Sequence, residues 1–160
     1  MFNKAVTLIA DGPSKEKVFN NPDSYIREST IVVVNDVGNQ WTDRIDYWFS
    51  LHPEIFFSEE NYKSKETRVG WRGDGKGYIR LEYRVFPEGS SSLFALENCF
   101  EMLGAEEVHL YGVDLDDVKS SGGENTYNKF RKFWKPAVKA YGDKMVDHSY
   151  TQWLAERNWY

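Results

Sequence analysis

The sequence predicts an α/β fold: a single doubly wound, mainly parallel sheet with helices on both faces. Three observations lead there. Short apolar runs rich in β-branched residues alternate with segments whose apolar residues recur at helical spacing. The runs are nearly continuous, as strands buried on both faces require. The clearest of them stop at polar punctuation: Asp11-Gly12, Asn35-Asp36, His52-Pro53 and Asp114.

Taken in order, residues 5–10 read as a buried strand, and residues 14–19 as the first turns of a helix with Ser14 at its N-cap. Asn20-Asn21-Pro22-Asp23 closes that helix by turn chemistry. Residues 31–34 form a β-branched second strand and residues 47–51 a third, with a helix expected over 54–65. The glycine-dense stretch 70–77 reads as a mobile loop or hairpin tip. Residues 78–86 alternate apolar and charged side chains, the pattern of a strand with one wetter face.

Phe94, Leu96, Cys99, Phe100 and Leu103 mark a helix over 91–103, with Gly104 just past its end. Residues 108–113 are another buried strand. A helix over 126–141 follows, which Pro136 should kink or divide. Met145-Val146 reads as a short strand and 150–158 as a final helix. No repeat, low-complexity tract or linker interrupts the 160 residues, so one domain over 1–160 is expected.

Composition narrows the function. Hydrophobic residues at 41% and charged residues at 28% are ordinary for a globular chain. Aromatic residues reach 16%, with six Trp and ten Tyr, which points to ring-rich packing and a ring-lined cleft. A net charge of -5 argues against nucleic acid as a partner. The lone Cys99 excludes an internal disulfide and sits in a buried helical pattern. With no signal-peptide pattern and no apolar run near the ~20 residues that span a membrane, a cytoplasmic location and no transmembrane segment are expected.

In doubly wound sheets the ligand sits beyond the carboxyl ends of the strands, where the polar punctuation collects. The Gly12-Pro13-Ser14 turn fits two readings equally, a tight strand-to-helix connection or a phosphate cradle. Glycine permits close backbone approach, and the N–H groups of a helix start point at an anion. Ser90-Ser91-Ser92 opens the central helix with hydroxyls beyond the one that capping needs. Of the three histidines, His109 reads as a packed strand residue, His52 as a strand-end group, and His148 as a free strand-end imidazole suited to general-base work. Asp114-Leu115-Asp116-Asp117 is either an acidic loop or a Mg²⁺ site. The basic helix carrying Lys129, Arg131, Lys132, Lys135 and Lys139 is most simply a solvated face.

The order of LIADGPS, VVVND, DYWFSLHPEIFF, SSSLFALENCFEMLGAEEVHLYGVDL and VDHSYTQWL resembles the bacterial sialyltransferases of Rossmann-like fold. It equally resembles the hydroxymethylpterin pyrophosphokinase-like proteins, with a short phage-encoded member as one form. The resemblance runs from about residue 5 to residue 155. It implies a cytidine-based nucleotide-sugar donor, a small or glycan acceptor, no cofactor and no metal. It places Asp11, Gly12, Pro13, Ser14, Asn35, His52, Ser91, Ser92, Gly112 and Asp114 around the nucleotide. Tyr127 would steady the leaving phosphate and His148 would be the general base. Asp11 and His52 stand where the family has asparagine, and Leu93 where it has glycine. The pyrophosphokinase alternative would need Mg²⁺ on Asp114 or Asp116, and a third alternative is a nucleotide-binding module without catalysis.

Overall fold

The structure, a computed structural model, describes residues 4–20, 22–58, 66–115 and 130–156. Its centre is one seven-stranded sheet in which every neighbouring pair is parallel. The strands are β1 (Ala5–Ile9), β2 (Thr30–Val34), β3 (Tyr47–Ser50), β4 (Thr67–Trp71), β5 (Ile79–Leu81), β6 (Glu107–Tyr111) and β7 (Met145–Asp147), in the spatial order β5-β4-β3-β2-β1-β6-β7. The chain winds outward from β1 to β5, then returns to the far side of β1 for β6 and β7. The order therefore reverses between β1 and β6.

Period-two alternation divides the strand residues between two cores. Val6 and Leu8 of β1, Val32 and Val34 of β2, Phe49 of β3, and Val108 and Leu110 of β6 face one of them. Covering that face are α5 (Ser91–Glu101) and α6 (Arg131–Tyr141), which contribute Leu93, Phe94, Leu96, Cys99, Trp134, Ala137 and Val138. Ile9, Ile31, Val33, Trp48 and Tyr111 face the other core. There they meet side chains of α1 (Glu16–Phe19), α2 (Ser24–Glu28), α3 (Val37–Gln40) and α4 (Pro53–Phe56). Helices on both faces make the sheet doubly wound, as the alternation of elements implies.

Several elements differ from expectation. The first helical turn begins at Pro13 as a 3-10 turn, with Gly12 rather than Ser14 in the capping position. Strand β4 falls partly on the expected glycine loop, and its pairing with β5 is parallel, which excludes a hairpin there. Only the last three residues of β4 pair with β5, so the chain must back up ~10 Å. The seven residues 72–78 suffice for that, and Arg72, Gly73, Gly75 and Gly77 turn the chain with positive φ. Helix α6 runs unbroken through Pro136. Pro136 and Lys132, whose carbonyl loses its helical donor, both lie on the exposed side, where water can serve that carbonyl. A 3-10 turn, Trp153–Ala155, stands within the expected last helix. Cys99 is fully buried, and burial pushes its thiol pKa up. Among the described residues no helix is long and apolar enough to cross a membrane.

Candidate functional site

The carboxyl ends of the strands form one rim, and the reversal between β1 and β6 is where a doubly wound sheet opens a crevice. Here that crevice is tightly laced. Gly12 N donates to the Gly112 carbonyl at 2.7 Å, and Ala10 N to the Tyr111 carbonyl at 2.8 Å. Asp114 Oδ2 accepts from both Ser14 N (3.0 Å) and Ser14 Oγ (2.9 Å), and Ser14 Oγ accepts from Gly112 N at 2.9 Å. Ser14 and Asp114 are buried. The glycines are required by this lacing. A Cβ on Gly12 would stand 2.3 Å from Asp114 Oδ2, and one on Gly112 (φ +71°) would stand 2.0 Å from the Ala10 carbonyl oxygen. The Asp114 carboxylate thus sits on the two Ser14 donors that the sequence offers to phosphate. Pro13 is exposed beside them.

Outside the lacing lies a polar group that sequence reasoning missed. Lys15 Nζ is 2.5 Å from Asp11 Oδ1 and donates to Gln40 Oε1 at 2.8 Å. Gln40 Nε2 in turn donates to Asp36 Oδ2 at 3.0 Å. The negative charge of Asp11 is therefore matched by Lys15. The signal was the residue directly after Gly-Pro-Ser.

The ends of β2 and β3 are tied to α5 by short polar bonds. Asn35, at a left-handed φ of 50°, accepts from Ser50 Oγ at 2.7 Å through Oδ1. Its side-chain Nδ2 has no partner among the described residues. Ser50 Oγ accepts from His52 N at 2.9 Å. His52 lies outward with Nδ1 3.7 Å from Glu54 Oε1. Ser91 is buried, and its Oγ accepts from Leu51 N at 3.0 Å, so it anchors β3 instead of capping α5. Ser90, in the N-cap position, makes no side-chain cap bond. Ser92 is half-buried, with its hydroxyl unpartnered among the described residues. The first N–H groups of α5 therefore open at the rim without a side-chain cap.

Across the reversal, on the α1 and α2 side of the sheet, stands a histidine pair. His148 follows β7, and its amide bonds to the Leu110 carbonyl at 3.1 Å. Its ring stacks on Tyr111 with centroids 4.2 Å apart, and its Nε2 lies 2.9 Å from His109 Nδ1. His109 Nε2 lies 2.9 Å from Glu107 Oε1 and 3.1 Å from the Tyr25 hydroxyl. His109 is thus not a packed core side chain but the middle of a polar chain.

The donors can be assigned from the carboxylate, which only accepts. Glu107 calls for a proton on His109 Nε2, and in that tautomer Nδ1 is the acceptor. His148 then donates through Nε2, and its Nδ1 carries the free lone pair. Burial lowers the His148 pKa, and His109 and Lys17 add to the effect against the opposing pull of Asp147 and Asp23. The imidazole is held neutral near pH 7. The missed signal is in β6 itself: Glu107 and His109, two positions apart and partly exposed, mark a polar start to a face whose last residue, Tyr111, is buried.

Of the residues named from sequence, Asp11, Gly12, Pro13, Ser14, Asn35, His52, Ser91, Ser92, Gly112 and Asp114 all stand on this carboxyl rim, with His148 beside it. Tyr127 and Asp116 lie outside the described residues. Comparison of the chain with protein families, curated proteins and solved structures found no match.

Proposed function

We propose that the chain binds a nucleotide or nucleotide-sugar across this rim and transfers the sugar to an acceptor hydroxyl, with His148 as general base and no metal. The observation that carries the reading is His148: a neutral-held imidazole with one nitrogen tied to His109 and the other free, set at a strand end. A base working near pH 7 needs that state.

The uncapped start of α5 supplies the second requirement. Its amides, the Ser92 hydroxyl and the Asn35 side-chain amide suit the base and ribose oxygens of the nucleoside end. Since Asp114 already holds the Ser14 donors, Gly12–Ser14 fixes the floor beneath the nucleotide-sugar, whose nucleoside end falls to α5 in this reading. The acceptor hydroxyl gives its proton to His148 Nδ1 as its oxygen attacks the anomeric carbon. The bond from that carbon to the nucleotide's phosphate oxygen breaks, and the departing phosphate takes the electron pair with it beside His148.

Thermal shift against a panel of nucleotides and nucleotide-sugars, with Mg²⁺ and with EDTA, tests binding. A cytidine nucleotide at about 100 times its Kd should add ~2.7 kcal/mol, whereas free sugar should add none. For a chain of this size that is roughly 5–11 °C in Tm. In a transfer assay His148→Ala should cut turnover by ~10²–10⁴ and leave nucleotide affinity nearly unchanged. Binding without turnover would favour a sequestering module, and turnover lost on chelation would favour pyrophosphoryl transfer. No shift with any nucleotide would remove the reading.

A further inference from the structure

Strand β5 ends the sheet, and its outer side faces away from β4. The Leu81 carbonyl accepts from Arg72 N at 2.9 Å, so Leu81 turns its backbone polar groups toward β4. Those of its neighbours Arg80 and Glu82 therefore point outward, away from the sheet. Arg80 Nη2 lies 2.5 Å from Glu82 Oε1, which puts both side chains on one face, as extended backbone does at i and i+2. The other face carries Ile79 (46% exposed) and Tyr83 (79% exposed), with Leu81 half-buried between them. Beyond Tyr83 the chain is pinned: Val85 N donates to Glu97 Oε2 at 2.7 Å, and Arg84 is buried against Glu97. An open edge with exposed apolar side chains is a template for another strand.

We propose that this edge pairs with the same edge of a second copy of the chain, antiparallel, about a two-fold axis through Leu81. The charge order selects that register. With the axis at Leu81, Arg80 of each copy stands opposite Glu82 of the other, and these are the residues whose backbone groups face outward. They form the hydrogen-bonded pairs of an antiparallel ladder. Ile79 then stands opposite Tyr83 of the other copy, an aromatic and β-branched cross-strand pair. A groove of about 750 Å³, lined by Leu81, Tyr83, Asn98, Glu101 and Met102 among others, runs beside the strand and receives the partner's apolar side chains. A slip of one residue would set Arg80 opposite the partner's Leu81 and lose the charge match.

The test is light scattering or sedimentation from about 1 µM to about 1 mM, where mass action should reveal a dimer. Arg80→Glu and Glu82→Arg should each weaken it by ~10-fold or more, because each sets two like-charged pairs opposite one another. Within either variant chain the 80–82 pair is also like-charged, so restoration cannot come from inside one chain. Mixing the two variants should restore association as a heterodimer. One copy then carries acidic side chains at both positions and the other basic ones, so both pairs across the interface are opposite in charge. Both substitutions fall on exposed side chains, so circular dichroism should be unchanged. A monomer throughout overturns the proposal. So does a dimer that neither variant weakens, or a mixture that associates no better than its components.

Discussion

Replacing Ser14 with Ala separates what the Gly12-Pro13-Ser14 turn does for the fold from what the rim does for a ligand. Ser14 Oγ makes two buried bonds: it donates to the Asp114 carboxylate and accepts from Gly112 N. The first is a bond to a charged group, worth ~1.5–3 kcal/mol, and the second leaves a buried amide orphaned at ~1–3 kcal/mol. Asp114 keeps its bond from Ser14 N, so the two losses overlap and about 3 kcal/mol is expected in all. In a chain of this length that lowers Tm by roughly 6–12 °C. Urea unfolding followed by tryptophan fluorescence measures it directly, since Trp48, Trp134 and Trp153 are fully buried. The midpoint should fall with the slope unchanged. Ser92→Ala is the companion: its hydroxyl has no described partner, so stability should hold within about 0.5 kcal/mol while nucleotide affinity drops. If Ser14→Ala also stays within about 0.5 kcal/mol, the lacing of β1 to β6 contributes nothing and the reasoning fails.

Two further outcomes follow from buried charge. The His148 pKa is lowered in the folded state from 6.5, so the unfolded chain binds the proton first. Stability is then complete above pH 6.5 and is lost as pH falls from 6.5 through the lower folded value, and His148→Gln should remove that part of a Tm–pH profile. Arg84→Met should cost ~3–5 kcal/mol in chemical denaturation by stranding Glu97, and adding Glu97→Gln should recover most of it. The pair stands 3.7 Å apart with both side chains buried, Arg84 at 6% and Glu97 at 3% exposure. Burial lowers the pKa of Arg84 and raises that of Glu97, and a single variant as stable as the parent would contradict this account.

Strands buried on both faces were the most legible part of the chain, because β1, β2 and β3 need no partner to look apolar. Helix α5 was legible from Phe94, Leu96 and Cys99. Strand β4 was not, since its sequence TRVGW carries Arg68, a charge with no evident place in a core. Arg68 is buried because its guanidinium lies over the Trp48 ring at 4.8 Å and pairs with Glu66 Oε1 at 3.1 Å. The ring comes from elsewhere in the chain, and no local pattern announces it. Helices α2, α3 and α4 span only four or five residues, too few to establish a 3.6-residue period. At the rim, strand-end punctuation located Asn35, His52 and Asp114. It could not show that Asp114 would reach back to Ser14, a hundred residues away.

The position of the histidine pair follows from how β6 is used. Its even residues, Val108 and Leu110, are fully buried under the α5 and α6 face. Two of its odd residues, Glu107 and His109, stay partly exposed on the face that α1 and α2 border. Tyr25 reaches from α2 to His109, and Lys17 of α1 lies over the Tyr150 ring at 4.5 Å. A half-covered strand face suits groups that must be partly desolvated and still reach solvent, and a working imidazole is such a group. The uncapped start of α5 lies on the opposite side of the sheet, toward β3. From β1 to β7 is two strand spacings, roughly 10 Å, and from β1 to β3 is another ~10 Å. The departing phosphate oxygen is bonded to the reacting carbon, so both stand near His148, and a ligand that also reaches α5 with its nucleoside end must cross the rim over the β1–β6 reversal. There Asp114, Ser14 and the two glycines have replaced an open crevice with a closed floor. That geometry favours a long donor lying across the rim over a compact one sunk between the strands.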